Sequence, residues 1–129
     1  MPNIKYKVLL VDDDAFLLDM YALKFKEEDF SVEISSGAAD ALDKIRAGAI
    51  YDIILLDIIM PTMDGFDFLD SVKKEKLISE TKIIVLSNLG QSEDIDRALA
   101  LGATDYVVKA YFTPTEIVKK VKTLLKIKN

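Results

Sequence analysis

The chain has 129 residues and a mass of 14.4 kDa, with 50% hydrophobic and 30% charged residues, the balance of one soluble globular domain spanning 1–129. It has no cysteine and no histidine, which excludes a disulfide framework, thiolate or imidazole metal ligands, a Ser-His-Asp triad and a phosphohistidine donor. A net charge of -5 and a pI near 4.7 argue against nucleic acid as a partner, and no apolar run reaches the ~18–20 residues of a membrane span.

Residues 1–7 carry no apolar stretch of the kind found in a secretory signal, so a cytoplasmic chain is the expectation. Val8-Leu9-Leu10-Val11 reads as a strand that ends at Asp12-Asp13-Asp14. Phe16, Leu17, Met20 and Leu23 fall on one helical stripe. Ser31-Val32-Glu33-Ile34-Ser35 alternates and predicts an edge strand. Ala38, Ala41, Leu42, Ile45 and Ala49 form the next helical stripe, with Gly48 placed to end it. Ile53-Ile54-Leu55-Leu56 is a second continuous strand, ending at Asp57. The segment 65–77 is helical in composition, with Phe68, Leu69 and Val72. Ile83-Ile84-Val85-Leu86 is the third continuous strand, ending at Ser87. A helix over 92–101 carries Ile95, Ala98 and Leu99, with Gly102 to end it. Residues 104–108 alternate as a second edge strand, ending at Lys109. Thr113-Pro114-Thr115-Glu116 is a capping box, and Ile117, Val118, Val121, Leu124 and Leu125 make the last stripe.

Continuous apolar strands are buried on both faces, as in a parallel sheet. Strict strand–helix alternation, repeated five times, predicts an α/β, doubly wound parallel sheet with helices on both faces. In such sheets the ligand site lies at the carboxyl ends of the strands. Here those ends carry Asp12, Asp13 and Asp14, then Asp57, Ser87 and Lys109. Crowded carboxylates need a cation or raised pKa values, and an oxygen-only set favours Mg²⁺. An Asp flanked by a divalent metal, a hydroxyl and a lysine is placed to attack a phosphoryl group, each neighbour binding one oxygen. Taken singly, each residue has a plainer reading. Asp14 reads as a helix N-cap, Asp57 as a turn residue before Pro61, Ser87 as a loop hydroxyl, Lys109 as a solvated lysine and Tyr106 as a half-buried strand aromatic. Their recurrence at matching strand ends is what points to a site.

The runs 8–14, 57–65 (Asp-Ile-Ile-Met-Pro-Thr-Met-Asp-Gly), 86–88, 102–106 and 108–109 together resemble the receiver domains of bacterial response regulators. The resemblance covers nearly the whole chain. It implies a flavodoxin-like (βα)5 fold with strand order 2-1-3-4-5. It implies that Asp57 is the phosphoacceptor, that Asp13 and Asp57 ligate Mg²⁺ directly and Asp12 largely through water, and that the backbone carbonyl of Ile59 completes the ligands. Ser87 and Lys109 would hold phosphoryl oxygens, and Tyr106 would be the switch aromatic. The implied donor is a histidine kinase or a histidine phosphotransfer protein. The implied downstream target is a protein that reads the face of helix four, strand five and helix five. On this reading the chain turns over no separate substrate. It catalyses its own phosphorylation and a slow self-dephosphorylation, because Ile59 and Leu89 offer nothing to orient a water. One departure stands out. The family usually has proline after the lysine, commonly in a cis peptide bond, where this chain has Ala110, so the loop is either trans and differently shaped or carries the ~2.5–4 kcal/mol of a cis non-proline bond.

A small Mg²⁺-dependent phosphatase of the haloacid dehalogenase type would use the Asp-x-Asp of Asp12-Asp13-Asp14 after strand one, with Ser87 and Lys109 standing for its later motifs, but leaves Asp57 and the 57–65 motif unexplained and has no room for a cap. A receiver-like interaction module that is never phosphorylated is kept open by Ala110. A flavodoxin is disfavoured by the triple Asp, and no Gly-x-Gly-x-x-Gly supports a dinucleotide site. The last helix carries Lys119, Lys120, Lys122, Lys126 and Lys128, read as a solvated face or as a docking patch for an acidic partner. No output domain is expected within 1–129, so output would pass through another protein, or the sequence is a fragment of a longer chain.

Overall fold

The computed structural model describes residues 5–127, so Lys128 of the basic run lies outside the described residues. The elements alternate without exception: β1 (Lys7–Val11), α1 (Ala15–Glu27), β2 (Ser31–Ser35), α2 (Ala38–Arg46), β3 (Ile53–Leu56), α3 (Gly65–Lys74), β4 (Lys82–Ser87), α4 (Ser92–Ala100), β5 (Asp105–Val108), a short 3₁₀ turn (Lys109–Tyr111) and α5 (Pro114–Leu124). The five strands are parallel in the order β2-β1-β3-β4-β5, with the two alternating segments at the edges as expected.

Side chains alternate across the strands and so build two cores. Val8, Leu10, Ile53, Leu55, Ile84 and Leu86 face α1 and α5, while Leu9, Val11, Ile54, Leu56, Ile83 and Val85 face α2 and α3. The helices are punctuated by local chemistry. Asp14 caps α1, accepting the Phe16 and Leu17 N–H groups at 3.0 and 3.2 Å. Thr113 and Glu116 form the reciprocal capping box of α5, with Pro114 at its first position. Gly48 and Gly102 end α2 and α4 with φ near +105°, values of +106° and +104° that a side chain would resist.

Two helix faces differ from the sequence expectation. In α1 the buried residues are Leu18, Tyr21, Ala22 and Phe25, whereas Phe16 is 75% and Leu23 61% exposed. The helix is apolar on both sides, so a period of 3.6 fits either stripe, and contact with the sheet decides between them. In α4 only Ala98 is buried, Ile95 is half-buried and Leu99 is exposed, because this helix lies shallowly on the sheet.

Candidate functional site

The strand register assembles the site before any side chain is considered. Val11 pairs with Leu56, so Asp12 and Asp57 leave adjacent strands at the same level, and the Asp57 N–H continues the ladder to the Val11 carbonyl at 3.0 Å. Ser87 pairs with Val108, which puts Lys109 one residue past the last pair. All four then lie at the carboxyl edge of the sheet, on its three central strands and one edge strand.

Asp12, Asp13 and Asp57 each offer a carboxylate oxygen, and the three atoms lie within 4.8 Å of one another. Asp12 and Asp57 are buried and Asp13 is exposed, so the cluster is open to solvent on one side. Oxygen donors this close suit a hard divalent cation, and these residues fit one. Lys109 Nζ donates to Asp12 Oδ2 at 2.8 Å and stands 3.6 Å from Asp57 Oδ2. Asp12 Oδ1 accepts the Asp14 N–H at 2.9 Å, and Asp57 Oδ1 accepts the Ile58 N–H at 2.8 Å, which fixes both carboxylates.

Burial pushes the Asp57 carboxyl up to about 6; Lys109 opposes this, and the Asp12 and Asp13 charges add to it. Burial works against the charged Lys109, but its hydrogen bond to Asp12 and the charges of Asp57 and Asp12 outweigh it, so the ammonium is held more firmly than usual. Tyr21, which no pattern in the sequence singled out, lines a small cavity behind Asp12 and Asp57. Burial raises its phenol, Lys109 draws it down and Asp12 raises it, in that order of size.

The remaining predicted residues lie on the neighbouring strands and loops. Ser87 is wholly buried, and its hydroxyl oxygen accepts the Leu89 N–H at 3.2 Å. Tyr106 is half-buried, and its hydroxyl donates to the Leu89 carbonyl at 2.6 Å, so the ring is folded in against the 87–91 loop. Ile59 follows in the β3–α3 loop with its side chain exposed. Asp14 stands apart, committed to its N-cap. Gly65 is required where α3 begins, because a Cβ there would meet the Asp57 carbonyl oxygen at 2.5 Å and the Ile58 Cα at 2.9 Å.

The Lys109–Ala110 bond is trans, since the described residues contain no cis peptide bond. The loop turns instead through the 3₁₀ segment, and the Ala110 N–H, an atom that proline lacks, donates to Asn88 Oδ1 at 3.1 Å. Sequence reasoning gave Asn88 no role. The signal was available, because replacing proline by alanine adds a donor that needs a partner.

A two-lobed core with an acidic cluster at the carboxyl edge, in this strand order, defines a class, and comparison with known proteins gives its family. The model of the response regulator receiver domain matches residues 8–122, and the chain belongs to that family. The regulatory protein VanRc of Enterococcus gallinarum is 34% identical over 120 residues, covering 93% of this chain and 50% of that protein. The transcriptional regulatory protein ResD of Bacillus subtilis is 32% identical, covering 93% and 48%. The chain thus spans about half the length of these curated relatives, which are regulators. Among solved structures, a CheY-like receiver domain from Methanospirillum hungatei superposes with a TM-score of 0.86 at 28% identity over 95% of both chains. The chemotaxis protein CheY4 of Vibrio cholerae gives 0.84 at 30% identity over 93% of this chain and 98% of that one. Among the described residues no helix is long and apolar enough to cross a membrane.

Proposed function

We propose that the chain is a phosphorylation-dependent switch of two-component signalling, in which Asp57 accepts a phosphoryl group from a phosphohistidine. The observation that carries this reading is the pairing of one buried carboxylate, Asp57, with the Lys109 ammonium 3.6 Å away and two further carboxylates within 4.8 Å. In the transfer, the P–N bond of the phosphohistidine breaks and a bond from an Asp57 carboxylate oxygen to phosphorus forms. The leaving imidazole takes up a proton, and the product is an acyl phosphate. Asp57 is held for attack by the Ile58 N–H, and Lys109 stands ready to bind an oxygen of the transferred group. Asp12, Asp13, Asp57 and the carbonyl of Ile59 would hold Mg²⁺. When bound, that ion supplies positive charge against the gathering phosphoryl oxygens.

Ser87 would bind a phosphoryl oxygen with its hydroxyl and draw the 87–91 loop inward. Tyr106, already joined to that loop through Leu89, moves with it. The face of α4, β5 and α5 would carry the change to a protein target. Lys120 and Lys122 are already paired with Asp105 and Glu28 at 3.2 and 2.7 Å, which favours a solvated α5 over a free basic docking patch. Ile59 and Leu89 place no polar side chain to guide a water, which supports slow loss of the phosphoryl group. A phosphatase acting on separate substrates and an unphosphorylated module fit less well, since the first leaves Asp57 and the 57–65 motif without a role and the second leaves the complete acidic set without one.

The test is transfer from a phosphorylated histidine kinase or phosphotransfer protein. The wild-type chain is expected to take up the label and Asp57→Asn to take up none. Equal uptake by both would refute the assignment.

A further inference from the structure

Lys109 must project its ammonium across the pocket from a backbone that no strand holds. The β4–β5 ladder ends at the Ser87–Val108 pair, and Lys109 already belongs to the 3₁₀ turn beyond it. That turn is short, and its own hydrogen bond, Phe112 N–H to the Lys109 carbonyl, is long at 3.3 Å. Among the described residues, the hydrogen bond that ties the turn's backbone to a neighbouring loop is the one from the Ala110 N–H to Asn88 Oδ1.

We propose that Asn88 is a positioning residue for Lys109: by holding the Ala110 N–H it fixes the backbone from which the lysine reaches Asp12 and Asp57. The inference rests on the phosphoacceptor reading above and deepens it. Asn88 follows Ser87 and Ala110 follows Lys109, so the two residues assigned to phosphoryl oxygens are joined by two peptide bonds and the one hydrogen bond between Asn88 and Ala110. Movement of Ser87 toward the phosphoryl group therefore carries the lysine's backbone with it. An alanine after the lysine leaves φ free and adds a donor, and Asn88 compensates for both by accepting from that donor. Misplacement of a reacting or binding group by about 1 Å costs a reaction as much as about a hundredfold in rate.

The experiment follows phosphorylation of the full chain by acetyl phosphate with Mg²⁺, together with amide exchange at Ala110 and thermal unfolding. Asn88→Ala is expected to speed exchange at Ala110 and to lower the rate constant at saturating donor by about tenfold, with the donor KM and the unfolding midpoint little changed. In an Ala110→Pro background, where the donor is gone, Asn88→Ala is expected to have no further effect. Should Ala110→Pro fail to fold, the same comparison in Lys109→Met serves, because no ammonium remains to be positioned. An Asn88→Ala rate equal to wild type, or the same loss in every background, overturns the proposal. Absence of any phosphorylation in the wild-type control would instead overturn the phosphoacceptor reading, and this inference with it.

Discussion

Asp57 is costly to the folded chain in its ionised form, the form that the proposed transfer requires. Its carboxyl rises from 3.8 to about 6, chiefly through burial. The folded state therefore binds the proton more tightly than the unfolded chain does. The stabilisation from that proton is fully present below pH 3.8 and is lost as pH rises through about 6. Above that range the ionised group disfavours folding by about 2–3 kcal/mol. With a chelator present, Asp57→Asn is expected to be more stable than wild type by this order near neutral pH. The difference should shrink as pH falls through 6, followed by denaturant unfolding across pH. A pH-independent difference would contradict the assignment. A second residue holds strain more locally. Thr62, in the loop between β3 and α3, has φ +70° and is spanned by a 2.8 Å hydrogen bond from Met63 N–H to the Pro61 carbonyl. A β-branched side chain is disfavoured there. Thr62→Gly is expected to stabilise by about 1 kcal/mol, read as a higher unfolding midpoint, and a lower midpoint would mean the turn is not strained.

Among the five α-helices, α4 buries the fewest residues, with Ala98 its single buried one. It is moored to α3 at two points. The Arg97 guanidinium lies 4.1 Å from the centroid of the Phe66 ring, and Lys73 Nζ donates to the Ala100 carbonyl at 3.0 Å. Such a stack contributes about 0.5–1 kcal/mol at an exposed site. Arg97→Ala is expected to speed amide exchange across 92–100 while leaving the β-strands protected. Unchanged exchange in α4 would show that another contact holds it. The three continuous apolar strands and the α5 capping box were legible because each signal is local and has one solution. The faces of α1 and α4 were not. In α1 two apolar stripes compete, and the contact of Tyr21 and Phe25 with the sheet, a tertiary fact, selects one of them.

For the molecule as a whole, parallel pairing converts distant positions into neighbours. Asp12, Asp57 and Lys109 were legible as candidates because each ends a strand, and the observed register brings them within hydrogen-bonding or ion-pair distance. That Ala110 adds a donor was legible, but the trans form of the turn, the choice of Asn88 as that donor's partner and the Tyr21 side of the pocket were not, since all three depend on which loops meet. The inward Tyr106 is likewise a property of the assembled 87–91 loop. A divalent cation held by Asp12, Asp13 and Asp57 would make Asp57 the phosphoacceptor. The most direct measurement incubates the chain with a small acyl phosphate, with Mg²⁺ or with a chelator, and reads intact mass and the modified peptide. The account predicts one added phosphoryl group, on the peptide containing Asp57, dependent on Mg²⁺ and released by hydroxylamine. No mass gain, or a gain elsewhere that the chelator leaves untouched, would contradict it.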